Sequence, residues 1–275
     1  MIGIKSTLSA LENLGCSPNK RLGQNFLIDH NIVKKSVELA EIQIDDRVVE
    51  VGPGLGALTI GLLDAGAKVF AVEYDRVLCS FLSEKFLGNK SFSLINGDAL
   101  KFPIAGLPGN IFHYKIVSNL PYAISTSWLD AILECEVLPE VMVLMLQLEA
   151  VKRFSATHGC KSFGAISIFL NSAYMIEQIY PVKEKCFYPK PKVASALLVL
   201  RKKEHPHIFH RKTKMLIRYM FNYRRKQIGN IIKTYPFMDQ SLLEEILLEI
   251  NKIARPESLN LTIWQNMDYK LKSLR

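Results

Sequence analysis

Short apolar runs alternate with amphipathic stretches through the first half of the chain. Five apolar runs predict strands at residues 47–51, 68–73, 91–96, 115–118 and 140–147. Between them, apolar positions at helical spacing predict helices at residues 30–40, 57–65, 76–87 and 125–135. Asp29 is a candidate N-cap of the first helix, and Gly66 is a candidate end of the second. Strands that alternate with helices of this length indicate βαβ units, so we predict a parallel sheet covered on both faces.

The pattern changes towards the end of the chain. A further apolar run predicts a late strand at residues 193–200, which we expect to join the edge of the sheet. Beyond residue 206 the pattern is helical only, with helices near residues 211–221, 223–233, 241–250 and 258–272. We therefore predict an α/β domain at residues 1–204 and a smaller, all-helical domain at residues 205–275.

A tetrapeptide with candidate chemistry directly follows the predicted strand at 115–118. It consists of Asn119, Leu120, Pro121 and Tyr122. The amide oxygen of Asn119 and a nearby backbone carbonyl can accept the two hydrogens of an amine. Pro121 fixes its own φ and keeps Leu120 out of the helical region, which can hold that carbonyl in place. Tyr122 offers a ring face for stacking, so the segment suits methylation of an exocyclic amine on a flat ring. A core aromatic is the alternative for Tyr122.

Three further signals follow the preceding strands. A glycine-rich segment at residues 52–56 lies between a strand and a helix, where glycines let the backbone approach a ligand. Its spacing is G-x-G-x-G, which differs from the G-x-G-x-x-G of dinucleotide-binding folds. Glu73 ends the next strand, where a carboxylate can bind both hydroxyls of a ribose. Asp98 follows the third strand, where a carboxylate could bind the exocyclic amine of an adenine.

Each of these signals also has an ordinary structural explanation. The glycines could form a tight turn, Glu73 could be a solvated strand end, and Asp98 could cap a helix. However, all four signals lie at the carboxyl ends of successive predicted strands, where ligands bind in open α/β sheets. Their joint placement favours a ligand site at this edge of the sheet.

Composition narrows the class of protein. The 275 residues are 49% hydrophobic and carry a net charge of +9, which points to a polyanionic partner or an acidic surface. The five cysteines are scattered without a Cys-x-x-Cys pair, so we expect reduced thiols in the cytoplasm and no metal site. The N-terminus has no signal-peptide pattern, and no apolar run reaches the ~18 residues of a membrane helix. We expect a cytoplasmic monomer.

Three more segments complete a resemblance to a known family. They are Lys-Arg-Leu-Gly-Gln-Asn-Phe-Leu at residues 20–27, Phe-Tyr-Pro-Lys-Pro-Lys-Val at 187–193 and Phe-Asn-Tyr-Arg-Arg-Lys-Gln-Ile-Gly-Asn at 221–230. With the signals above, the chain resembles the KsgA-type (RsmA) small-subunit rRNA adenine dimethyltransferases over residues 18–258, in the expected order. These are class I enzymes that depend on S-adenosylmethionine.

The resemblance implies a Rossmann-like catalytic domain at residues 1–204 and an rRNA-binding domain at residues 205–275. It assigns the binding of S-adenosylmethionine, with no metal, to Asn25, Leu27, Gly52, Gly54, Glu73, Asp98 and Asn119. Within this set, Glu73 would hold the ribose and Asp98 the adenine. The implied substrate is a pair of adjacent adenosines near the 3′ end of 16S rRNA, each methylated twice at N6 during small-subunit biogenesis.

The basic residues of the last two segments are candidate RNA contacts. Basic side chains interleaved with aromatics suit phosphates and unstacked bases. The candidates are Lys190, Lys192, Arg224, Arg225 and Lys226.

The chain departs from the family where Ala123 and Ser127 replace the usual Asn and Pro, and where Leu148 replaces a Lys. Neither departure argues against activity.

Two alternative functions remain at this point. The erythromycin-resistance methyltransferases of 23S rRNA share the donor site and a similar tetrapeptide, but the segments at 187–193 and 221–230 favour the small-subunit class. A non-catalytic RNA-binding assembly factor could keep the fold, although the intact Asn119, Tyr122, Glu73 and Asp98 count against it. A nicotinamide-dependent dehydrogenase is a distant third, because the glycine spacing differs.

Overall fold

The structure is a computed structural model that describes residues 3–19, 22–248 and 250–273. The helices are α1 Ile4–Asn13, α2 His30–Leu39, α3 Ala57–Asp64, α4 Arg76–Lys85, α5 Ser125–Ile132, α6 Leu148–Phe154, α7 Ala165–Ala173, α8 Arg211–Asn222, α9 Ile228–Ile232, α10 Gln240–Ile246 and α11 Leu261–Ser273. The strands are β1 Phe26–Leu27, β2 Arg47–Val51, β3 Lys68–Glu73, β4 Phe92–Asn96, β5 Lys115–Asn119, β6 Val141–Gln147, β7 Tyr174–Val182, β8 Phe187–Tyr188 and β9 Ser195–Lys202. Lys20 and Arg21 of the first family segment, and Glu249 of a predicted helix, lie outside the described residues.

Seven strands form one sheet in the order β4-β3-β2-β5-β6-β9-β7. Neighbouring strands from β4 to β6 are parallel, and Val49 of β2 lies opposite Phe70 of β3 and Ile116 of β5. β9 runs antiparallel to β6, with Met145 opposite Leu197. The prediction of a mostly parallel α/β sheet is confirmed.

The position predicted for the late strand is wrong. That strand is β9, and it lies between β6 and β7 rather than at the edge. The first six residues of β9 are all buried, as expected for an interior strand with both faces covered. At that end of the sheet the edge strand is β7, and the apolar pattern did not predict it because most of its residues are exposed or half-buried.

The helices pack on the sheet through apolar stripes. Ile32 of α2 and Leu58 and Leu62 of α3 belong to one buried cluster with residues of β2, β3, β5, β6 and β9. The N-cap predicted at Asp29 is confirmed, because its carboxylate accepts the backbone N–H of Asn31 at 2.9 Å. No helix among the described residues is long and apolar enough to cross a membrane.

The chain forms two compact units. The first consists of residues 1–151 and 176–202, and the second of residues 152–175 and 203–275. Residues 152–175 therefore lie in the second unit, whereas the predicted boundary at 204 placed them with the first domain. The assignment of catalysis and RNA binding to two domains stays a prediction.

The strand order places the candidate residues at one edge of the first unit. β4, β3, β2 and β5 are adjacent and parallel, so the segments that follow them leave the sheet at the same side. The glycine-rich segment follows β2, Glu73 ends β3, Asp98 follows β4 and Asn119 ends β5. The sheet thus brings together residues that are nearly 70 positions apart.

Candidate active site

The glycine-rich segment between β2 and α3 needs its glycines. Gly52 and Gly54 have φ of +65° and +62°, in the left-handed region that residues with a Cβ rarely adopt. A Cβ on Gly52 would lie 3.3 Å from the Pro121 ring, and one on Gly54 would lie 3.1 Å from the Phe26 ring. The segment is therefore a closely packed turn whose glycines also keep one wall of the site free of side chains.

Glu73 is not a solvated strand end. Its side chain is buried, with 6% of the residue exposed. One carboxylate oxygen accepts the backbone N–H of Gly54 at 3.1 Å, and the other accepts that of Asp75 at 2.9 Å. Burial raises the pKa of Glu73 above its ordinary value, and the two backbone N–H groups oppose this shift. The carboxylate thus links the end of β3 to the glycine-rich segment.

Glu50 is a site residue that the sequence analysis did not single out. It lies in β2, two residues before Gly52, and is 2% exposed. The Thr59 hydroxyl donates a hydrogen bond to Glu50 Oε2 at 2.7 Å. Burial raises the pKa of Glu50 to about 8, the negative charge of Glu73 adds to the shift, and the bond from Thr59 opposes it. An acidic residue between the apolar Val49 and Val51 is the sequence signal that could have identified it.

Asp98 shapes the turn that follows β4. Its Oδ1 accepts the backbone N–H of Leu100 at 2.9 Å. No helix begins at this point among the described residues, so the carboxylate fixes a turn and does not cap a helix. Asp98, Ala99 and Leu100 all line the same cleft as Glu73.

The amide of Asn119 has a defined orientation. Its Nδ2 donates to the backbone carbonyl of Asn25 at 2.9 Å, and the Asn25 side chain donates to the Gly23 carbonyl at 2.9 Å. Because the Asn119 NH2 group is engaged by Asn25, its Oδ1 is left as an acceptor. Pro121 follows with φ of −56° and ψ of 123° and leads into a 3-10 turn over Tyr122–Ile124.

Tyr122 is held at its hydroxyl. The hydroxyl groups of Tyr122 and Ser195 share a hydrogen bond of 2.9 Å, and Ser195, the first residue of β9, is 1% exposed. Burial raises the pKa of Tyr122, and the bond to Ser195 opposes that shift. Tyr122 therefore lines the cleft with its hydroxyl fixed, which differs from an aromatic residue buried entirely in the core.

Two of the family segments meet beside the site. Phe26 and Leu27 of β1 pair antiparallel with Tyr188 and Phe187 of β8, respectively. These strands have only two residues each, so the apolar pattern did not predict them. The pairing holds the residues around Asn25 against the segment that carries Lys190.

One cleft of about 570 Å³ collects all ten residues predicted for catalysis and donor binding. They are Asn25, Leu27, Gly52, Gly54, Glu73, Asp98, Asn119, Leu120, Pro121 and Tyr122. The sequence analysis missed other lining residues, among them Ser6, Thr7 and Ala10 of α1, Glu50 and Tyr74. Among the described residues, no group of three or more His, Cys, Asp or Glu could hold a metal ion.

The predicted RNA contacts lie outside the cleft lining and differ in their availability. Lys190 and Lys192 are exposed in the first unit, and Lys190 Nζ lies 3.9 Å from Glu184. In the second unit, Arg224 donates to the Glu257 carboxylate, with Nε at 2.7 Å. Its neighbours Arg225 and Lys226 are exposed. Arg224 thus has an internal partner that the sequence pattern did not reveal.

Comparisons with known proteins give a consistent family match. Residues 15–265 match the family model described as ribosomal RNA adenine dimethylase. A protein from Opitutus terrae named ribosomal RNA small subunit methyltransferase A is 46% identical over 96% of this chain and 97% of its own length. A protein of the same name from Pseudomonas aeruginosa is 37% identical over 93% of this chain and 95% of its own length.

Two solved structures share the fold. A dimethyladenosine transferase from Plasmodium falciparum superposes with a TM-score of 0.74 at 23% identity, covering 90% of this chain and 98% of its own. The 23S rRNA methyltransferase ErmE has a TM-score of 0.63 at 24% identity, covering 90% of this chain and 100% of its own. Because the family model spans nearly the whole chain and these relatives align end to end, the chain belongs to the ribosomal RNA adenine dimethylase family of class I, S-adenosylmethionine-dependent methyltransferases.

Proposed function

We propose that this protein transfers methyl groups from S-adenosylmethionine to N6 of two adjacent adenosines near the 3′ end of 16S rRNA, dimethylating each. The observation that carries the proposal is the fixed amide of Asn119, which lines the same cleft as Glu73 and Asp98. The names of the relatives support the small ribosomal subunit as the substrate.

The cleft fits the methyl donor. Gly52 and Gly54 form a wall that a Cβ would fill, which suits close approach to the amino-acid portion of the donor. We assign the ribose hydroxyls of the donor to Glu73, whose carboxylate is buried, and the amine of its adenine to Asp98; both residues line the cleft. We assign Asn25 and Leu27 to packing against the donor, because both line the cleft and the Asn25 carbonyl accepts the Asn119 amide. When bound, S-adenosylmethionine supplies an electrophilic methyl group on a positive sulfur.

Asn119 and its neighbours position the acceptor. The N6 nitrogen is a poor nucleophile because its lone pair is delocalised into the ring. In the first transfer, Oδ1 of Asn119 and the carbonyl of Leu120 or Pro121 accept the two amine hydrogens, and in the second they accept the one that is left, which favours a tetrahedral nitrogen with an available lone pair. In each transfer the methyl–sulfur bond breaks as the nitrogen–methyl bond forms, and the nitrogen then releases one proton to solvent. Tyr122 stacks on the unstacked base, a contact worth about 1–3 kcal/mol. Orientation and proximity then account for most of the rate, and no strong general base is required.

The proposal also assigns the contacts with RNA to exposed basic residues. Lys190 and Lys192 follow β8, which pairs with the β1 residues that line the cleft. We propose that these two lysines bind rRNA phosphates in the first unit, and that Arg225 and Lys226 do so in the second. Arg224 would join them only if RNA competes with its partner Glu257.

Mapping the methylated nucleotides tests the proposal. Small and large ribosomal subunits from a methylation-deficient strain are incubated with the protein and labelled donor, and the modified positions are located by primer extension. We expect label only in the small subunit, at two adjacent adenosines near the 3′ end of its rRNA. Label in the large subunit would instead support the erythromycin-resistance type, and binding without transfer would support an assembly factor. The monomeric state, the cytoplasmic location and the absence of a metal stay predictions.

A further inference from the structure

Four aromatic side chains form a continuous row in the second unit. Their ring centroids are 5.0 Å apart for Tyr223 and Tyr219, 5.0 Å for Tyr219 and Tyr235, and 5.6 Å for Tyr235 and Phe237. We call these four residues the aromatic ladder. Tyr235, in the middle, is 3% exposed, whereas the two ends, Tyr223 and Phe237, are 41% and 66% exposed. The buried Tyr235 and the half-buried Tyr219 thus support two exposed rings.

The aromatic ladder is tied to the backbone. The Tyr219 hydroxyl donates to the Thr234 carbonyl at 2.7 Å and lies 3.1 Å from the Thr234 hydroxyl. This contact joins α8 to the segment after α9, which carries Tyr235 and Phe237. The two exposed rings are therefore held in place by internal contacts before any partner binds, which lowers the ordering cost of binding.

The surroundings of the aromatic ladder are strongly basic. Residues 211–238 contain eight Lys or Arg and no Asp or Glu, although Lys214 is buried, Arg224 donates to Glu257, and Asp239 follows directly. The Lys226 ammonium lies 5.1 Å from the centre of the Tyr223 ring, and both Arg225 and Lys233 are exposed. An apolar protein segment would complement the rings but not this charge. A strand of unpaired nucleotides complements both, since each unit carries a phosphate and a flat base.

We propose that the aromatic ladder binds unpaired nucleotides of RNA, with bases stacked on Tyr223 and Phe237 and phosphates next to Arg225 and Lys226. The identity of that RNA as rRNA rests on the function proposed above, whereas the stacking itself rests on the exposure of the two end rings and on the nearby positive charge. Base stacking tolerates any sequence because every base has a π-face. The surface therefore holds a single-stranded segment by shape and charge, and leaves the choice of adenosine to the cleft of the first unit.

Binding measurements on the full chain test the aromatic ladder. The probe is a fluorescent, unstructured 12-nucleotide RNA, with a blunt RNA duplex for comparison, titrated at several salt concentrations. We expect Tyr223→Leu and Phe237→Leu each to weaken binding of the single strand roughly 5- to 150-fold without changing the salt slope, as for loss of one stacked base. Lys226→Gln should lower the salt slope by about 0.7. Phe112→Leu, at a residue 64% exposed in the first unit, is the matched control and should bind like the unaltered chain.

One further variant tests the internal support of the aromatic ladder. Tyr219→Phe keeps the ring but removes the bond to Thr234, so we expect weaker binding of the single strand and unchanged circular dichroism. Unaltered affinity in both Tyr223→Leu and Phe237→Leu would overturn the proposal, and so would equal loss of single-strand and duplex binding. If the unaltered chain sediments as a dimer and these variants as a monomer, the surface binds a second copy of the chain and the proposal is overturned. Methyl transfer is measured separately. If the aromatic ladder is needed for RNA binding but no methyl group is transferred, only the function proposed above is contradicted.

Discussion

Glu50→Gln removes a carboxylic acid that the fold holds in its neutral form. Glu50 is 2% exposed, and burial raises its pKa from 4.5 to about 8. In the unfolded chain the group loses its proton at an ordinary pKa near 4.5. Between these two values the folded chain binds more protons than the unfolded chain, so the free energy of unfolding falls as pH rises.

The size of the effect follows from the shift. One pKa unit corresponds to about 1.4 kcal/mol, so burial of Glu50 lowers the free energy of unfolding at pH 7 by about 3 kcal/mol relative to pH 4. The loss continues until the folded group ionises near pH 8. Glutamine has nearly the same shape and still offers an oxygen to the Thr59 hydroxyl, but it does not titrate.

Urea unfolding followed by circular dichroism from pH 5 to pH 9 measures the difference in the free energy of unfolding between the Glu50→Gln and unaltered proteins. At pH 5 we expect the free energy of unfolding of the Glu50→Gln protein to be no higher than that of the unaltered protein. Between pH 5 and pH 8 it should rise by about 3 kcal/mol relative to the unaltered protein. Glu84→Gln, at an exposed position of α4, is the control and should leave the pH dependence unchanged. Parallel pH profiles for the Glu50→Gln and unaltered proteins would refute the reasoning.

Two further predictions concern the walls of the cleft. Gly54→Ala should lower the free energy of unfolding by about 1–2 kcal/mol, because alanine is strained at this left-handed φ. It should also weaken donor binding at least tenfold in calorimetry, because its Cβ would contact Phe26. Gly88→Ala, at φ +78° with open space around it, has the same strain and should keep donor affinity; equal loss in both would contradict this account. Tyr122→Phe and Ser195→Ala each remove the same hydrogen bond, so kcat should fall roughly fivefold in either one with donor affinity unchanged. The double variant should be no worse than either single one, and additive losses would show independent roles.

Much of the cleft was predictable because its signals are local. Glycines, an acidic residue and the Asn-Leu-Pro-Tyr segment each follow a predicted strand, and parallel strands end at the same edge. Convergence of eight of the ten residues therefore required only the correct strand directions, whereas Asn25 and Leu27 were assigned from the family resemblance alone. The order of the four adjacent strands then placed Glu73 beside the glycine-rich segment.

Features that depend on distant contacts could not be predicted in the same way. α1 carries no chemical motif, yet Ser6 and Ala10 line the cleft. β1 and β8 have two residues each and pair across about 160 positions, too short for an apolar pattern. Arg224 is indistinguishable in sequence from Arg225, and only the fold brings Glu257 to its guanidinium.

The most direct test of the account is methyl transfer by Asn119→Ala, measured together with donor binding on the same preparation. The substrate is small ribosomal subunits from a methylation-deficient strain, and the donor carries a labelled methyl group. We expect transfer to be abolished, because the acceptor for the amine hydrogens is lost, while donor affinity stays within about tenfold of the unaltered protein. Near-normal turnover in this variant would contradict the central claim that Asn119 positions the amine for transfer.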